Sequence, residues 1–170
     1  METIVVLRQQ LKDSHGWLEG TMQGLTDAQV HWKPAGRANP ISGCYGHVIL
    51  GEDWAISVLK GGAPLMAGSH AGKTGFSAMP PQEGNDWHQW ALDLKVDVSA
   101  ARAYAQAVAD NADKYIASLK PADLDRVVNG PAGPQPVYWW LSSAIIGHIH
   151  EFTGEISCLK GLQGLKGYPA

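Results

Sequence analysis

The stretch AIIGHIHEFTGEISCLKG, residues 144–161, sets two histidines and two glutamates into an otherwise apolar run. Its apolar residues recur at three- and four-residue steps. Ile145, Phe152, Ile156 and Leu159 share a face with His148, and Leu141 continues that face backwards, which is the period of an amphipathic helix. A helix turns about 100° per residue, so His150 points about 200° away from His148. Of the two histidines, only His148 faces the interior. On its own helix the groups within its reach are Glu151, Phe152 and, a turn further, Glu155.

Two imidazoles on one helix meet a metal most compactly at positions i and i+4, as in HExxH. Phe152 holds the second of those places, and a phenyl ring cannot ligate. Glu151 lies about 60° around the helix from His148 and offers a carboxylate by a bent approach.

Helical spacing recurs along the rest of the chain. Ile4, Leu7, Leu11, Leu18, Met22 and Leu25 mark a first long helix, and Thr26 to Gln29 has the form of a capping box. Asn39-Pro40 pairs a capping side chain with a proline suited to a first helical turn. It opens a second long helix, expected from about Pro40 to Lys60 and ended by Gly61-Gly62. A short helix through Trp87, Trp90, Ala91 and Leu94 follows. A third long one, capped at Asp97 or Ser99, carries Ala101, Tyr104, Val108, Ala112, Tyr115 and Leu119. The fourth opens at about Pro136.

Residues 61–85 and 121–136 show no period and read as connections, the first long enough to be a lid. No segment alternates with period two. These features predict one all-α domain over residues 1–170, a four-helix bundle with long crossover connections.

Composition narrows the function. With 45% hydrophobic and 17% charged residues the chain is that of an ordinary globular domain. A net charge of -3 and the lack of a basic helix face argue against nucleic-acid binding. No apolar run reaches the roughly 18–20 residues of a membrane span. The start METIVVLRQQLKD lacks the features of a signal peptide, and Cys44 and Cys158 form no CxxC pair. A cytoplasmic protein with free thiols is expected.

The second helix contributes the other candidate. GCYGHVILGEDW, residues 43–54, sets His47 among Gly43, Gly46 and Gly51, which either leave room around the imidazole or let another helix come close. Cys44 shares roughly its face, and a thiolate is a competent zinc ligand. A lone histidine on an apolar face is nonetheless more often a hydrogen-bonded core residue than a ligand. His15, His31, His70 and His88 are expected on helix surfaces or in loops and have no partner that spacing can name. The seven tryptophans read as core or pocket lining.

GLTDAQVHWKPAGRANPISGCYGHVILGEDW, residues 24–54, resembles the signature stretch of the DinB/YfiT-like proteins, with His47, Glu52 and Trp54 on the pattern. HIHEFTGEI, residues 148–156, is similar to their last-helix signature "HxxxHxGqI", matched by His148, Gly154 and Ile156. The resemblance implies a four-helix bundle, a homodimer, and a divalent metal (zinc or nickel) held by one histidine of the second helix and two of the last. It also implies a thiol-dependent transferase, an isomerase or a related hydrolase, with the metal activating a low-molecular-weight thiol or water. Carried over by position, the ligands are His47 and His148.

Phe152 stands at the third ligand position and Glu155 where the family has Gln. Either Glu151 or Cys44 completes the ligand set, or the pocket has lost its metal. The first reading is a metal-dependent enzyme, its substrate enclosed by residues 61–85 and by Trp87, Trp90, Trp139 and Trp140. The alternative is a non-catalytic dimeric bundle that binds a small ligand or a protein partner.

Overall fold

Leu7, Leu11, Leu18 and Met22 all lie buried along one side of α1 (Thr3–Met22), as their spacing predicts. The computed structural model describes residues 2–81 and 86–169 of the chain. Three more long helices carry comparable stripes: α3 (Ile41–Lys60), α5 (Val98–Ser118) and a last helix that runs on from Val137 to Leu162. α1 packs against α5 and the last helix, and α3 packs against the same two. The core lies between these four, filled by side chains such as Tyr45, Ile49, Tyr104, Leu141 and Ile156. Burying an apolar side chain of this size contributes about 1.5–3 kcal/mol, so the stripes are the main source of stability.

Local signals act where expected at several helix ends. Thr26 caps the short α2 (Asp27–Val30) with a complete capping box: its hydroxyl accepts from the Gln29 N–H, while the Gln29 amide oxygen accepts from the Thr26 N–H. Gly61 ends α3 at φ 70°, a left-handed conformation that glycine adopts without strain. Asp97 caps α5 by accepting from the Ala100 N–H.

Other expectations need correction. Pro40 is the N-cap of α3 and not its first helical residue, and the Asn39 side chain does not cap that helix. Asn39 Oδ1 lies 2.8 Å from His88 Nδ1, tying the start of α3 to α4 (Trp87–Asp93). The connection expected over residues 121–136 contains a β-hairpin, β1 (Val127–Gly130) against β2 (Gly133–Pro136), turned at Gly133 with φ 80°. Its strands are only four residues long and Pro134 and Pro136 interrupt the second, so no alternation was there to read.

The connection from residue 61 is held down at its start. Buried Asp53 accepts from the Leu65 and Met66 N–H groups and from the Tyr104 hydroxyl, at 2.9, 2.9 and 2.7 Å. Further along, Phe76 bridges to Val96. Residues 82–85 of the expected lid lie outside the described residues.

The last helix is not uniform. After one short α-helical turn, α6 (Val137–Trp139), residues Trp140–Gly147 wind as a π-helix before α7 (His148–Leu162) resumes the normal pitch. Wide turns of this kind are rare and occur often at functional sites. Here the wide segment ends one residue before His148.

Candidate functional site

α3 and α7 cross so that His47 and His148 face each other, their ring centroids 5.1 Å apart in an edge-on arrangement. Phe152, one turn beyond His148, sets its ring 4.7 Å from that imidazole and 4.9 Å from His47. Trp87 of α4 closes another side, 4.7 Å from His47, and Trp90 stands behind it at 5.4 Å.

Two glycines bring α4 this close. A Cβ at Gly43 would fall 2.5 Å from Ala91 Cβ, and one at Gly46 would fall 2.5 Å from Leu94 Cδ2. Of the two roles open to these glycines, Gly43 and Gly46 serve close approach. A Cβ at Gly51, one turn after His47, would meet open space.

Burial removes water from both imidazoles. It lowers the pKa of His47 to about 4, with the neighbouring His148 adding to the effect. His148 is lowered too, since burial outweighs the opposing pull of the Glu151 and Glu155 charges. Both rings are therefore neutral at neutral pH, each with one donor and one acceptor nitrogen.

The other expected donors are placed differently. Glu151 is exposed, while His150 is exposed on the far side as its register predicts. Cys44 is buried and its thiol donates to Glu155 Oε2 at 3.5 Å. Burial, reinforced by the Glu155 charge, pushes that thiol up, so it stays protonated. Both cysteines are free thiols.

A metal centre of the kind the resemblance implies needs three protein ligands around an open position. The side chains here offer two imidazoles, and the Phe152 ring fills the third corner. Among the described residues no three His, Cys, Asp or Glu groups gather to hold an ion. The donor set does not fit such a centre.

His47 and His148 thus face each other from the second and last long helices of a mostly helical chain. The DinB superfamily matches residues 10–150, and the chain belongs to it. A crystal structure described as the conserved protein of a locus from Enterococcus faecalis is similar in fold, with a TM-score of 0.81. That match is 22% identical and covers 95% of this chain and 97% of the other. Among curated proteins none matches this sequence. No helix is long and apolar enough to cross a membrane, among the described residues.

One buried histidine escaped the sequence reading. His15 of α1 is only 8% exposed, and its Nε2 lies 3.1 and 3.0 Å from the two carboxylate oxygens of Glu52 on α3. The signal was present: His15 sits four residues after Leu11 and three before Leu18, on the apolar stripe itself. Glu52 likewise follows Val48 by four. Nothing in spacing pairs two residues on different helices, so the partnership was not legible. The same holds for Trp87 against His47.

Proposed function

We propose that the protein uses a DinB-type four-helix bundle to bind a small ligand against the His47–His148 pair, without a metal-dependent step. Phe152 carries this reading. Its ring lies within 5 Å of both imidazoles, at the corner where a third ligand would stand. The neutral rings then act as hydrogen-bonding groups within an apolar surround of Trp87 and Phe152. One turn after His47, a Cβ at Gly51 would meet open space. The Trp90 indole N–H is buried with no acceptor among the described residues. The chemistry favours an aromatic or apolar body bearing one hydroxyl or carbonyl. The homodimer implied by the family resemblance belongs to the same reading.

Zinc titration of untagged protein tests the metal side. Wild type and His47→Ala should bind zinc within about threefold of each other, whereas Phe152→His should bind about a hundredfold tighter by completing three ligands. Phenol should perturb the ring resonances of His47 and His148 in NMR spectra. Stoichiometric metal in the purified wild type that is lost in His47→Ala would overturn the proposal. The protein would then be a metal enzyme, with Glu151 or Cys44 as the third ligand.

A further inference from the structure

A groove of about 900 Å³ lies between α1 and α5, away from the histidine pair. Ion pairs stand near its two ends. Arg8 donates to Asp113 at 2.7 and 2.8 Å, and Arg102 donates to Glu19 at 2.7 Å. Between those ends, Lys12 and His15 stand three residues apart on α1, on the face turned to the groove. No carboxylate pairs with Lys12 among the described residues. His15 has its Nε2 committed to Glu52. Its Nδ1 has no hydrogen-bond partner there and is not sealed in the core.

Stability does not account for the His15–Glu52 pair. A buried ion pair returns little net stability after desolvation, and apolar residues of the same volume would do as well or better. A carboxylate behind an imidazole does something else: it fixes the ring's orientation and aims its other nitrogen outward. Here the His15 ring is part of the groove's lining.

We propose that this groove is a second ligand site, in which His15, oriented by Glu52, and Lys12 receive the carboxylate of a small amphipathic acid. Two unpartnered donors on one wall call for an anion. Of the groove's three acids, Glu19 and Asp113 are already held by arginines, and Tyr45 also donates to Glu19 at 2.6 Å. Val5, Leu11, Ala105 and Ala109 line the remainder and suit a short hydrocarbon tail. The volume is in the range of small-molecule sites, about 300–1,000 Å³. Burial works against a proton on His15, but the charge and hydrogen bond of Glu52, with the charge of Glu19, outweigh it and raise its pKa. Asp110, on the α5 wall, accepts from Gln106 and pairs with no cation among the described residues, so it opposes an anionic ligand.

Octanoate is the probe. Titrated into the full chain, it should shift the ring resonances of His15 and leave those of His47 and His148 in place. Lys12→Met, on the surface, and His15→Gln should each weaken binding about tenfold, the scale of one hydrogen bond to a charged group. Asp110→Asn should tighten it. Acetate, with no tail, should bind more weakly than octanoate. Shifts at His47 and His148 instead of His15, equal affinity in Lys12→Met and wild type, or no binding at all would each overturn the proposal. None of these results depends on the fate of the His47–His148 reading, because the two sites share no side chain.

Discussion

His15 and His47 sit on helices of the same domain, each largely withdrawn from water, and α3 contributes to both settings. On one side α3 presents His47 to Trp87, His148 and Phe152, three rings of which none carries a negative charge. On another it presents Glu52 to His15, with Glu19 nearby. Burial penalises the imidazolium in both places. Where only aromatic rings answer it, the proton is lost and the pKa drops to about 4. Where a buried carboxylate answers it, the balance reverses and the proton is held more tightly. Burial alone does not decide the charge of a histidine here; the neighbouring side chain does.

The widest effect should come from removing the carboxylate. Glu52→Gln leaves the His15 imidazolium buried without a counter-charge, and urea unfolding at pH 6 should show a loss of about 3–5 kcal/mol. The raised His15 pKa makes its contribution fully present below the ordinary value of about 6.5. It fades as pH climbs through the folded value. The deficit of the variant should therefore shrink at alkaline pH. A loss under about 0.5 kcal/mol at pH 6 would mean that the pair carries no charge.

His47 works with the opposite sign. Its folded pKa is about 4, below the ordinary value, so between those limits the unfolded chain binds the extra proton. Stability should fall as pH drops from about 6.5 towards 4, by at most about 3 kcal/mol. His47→Gln should flatten that limb of the pH profile. An unchanged acid limb in the variant would assign the loss to other groups.

Gly43→Ala attacks the contact between α3 and α4, since the added Cβ meets the Ala91 backbone as well as its side chain. A loss of about 1–3 kcal/mol is expected. With Trp87 shifted off His47, the imidazole should regain water and titrate nearer its ordinary value in NMR spectra. His47 titrating unchanged would show that Trp87 does not keep it dry. The smallest effect belongs to His150→Ala. This side chain is exposed, and both stability (within about 0.5 kcal/mol) and the His47 and His148 resonances should stay put.

What the sequence discloses follows the range of the interaction. The stripe of α1, the capping box at Thr26 and the glycine stop at Gly61 depend on residues within a turn or two, and all were readable. So was the opposition of His148 and His150, a matter of helical angle. The hairpin was hidden because its strands are short and proline-broken. The His15–Glu52 pair was hidden because it joins residues 37 positions apart, on faces whose mutual docking spacing does not encode. In the candidate site, His47, His148 and Phe152 were named from their positions. Trp87 as the fourth wall, and the protonated state of Cys44 beside Glu155, needed the packing.

The π-helical segment Trp140–Gly147 also has a bearing on how this chain tolerates changes in length. A wide turn holds a surplus residue relative to an α-helix of the same rise. Losing one residue there would let the backbone relax into the ordinary pitch, with the helix itself intact. Everything downstream would keep roughly its present orientation, because the residue lost is the surplus one. His148 and Phe152 would stay turned towards α3 together. A single-codon deletion in this segment would thus spare the site, whereas one inside α7, between His148 and Phe152, would swing the phenyl ring about 100° away from the imidazoles.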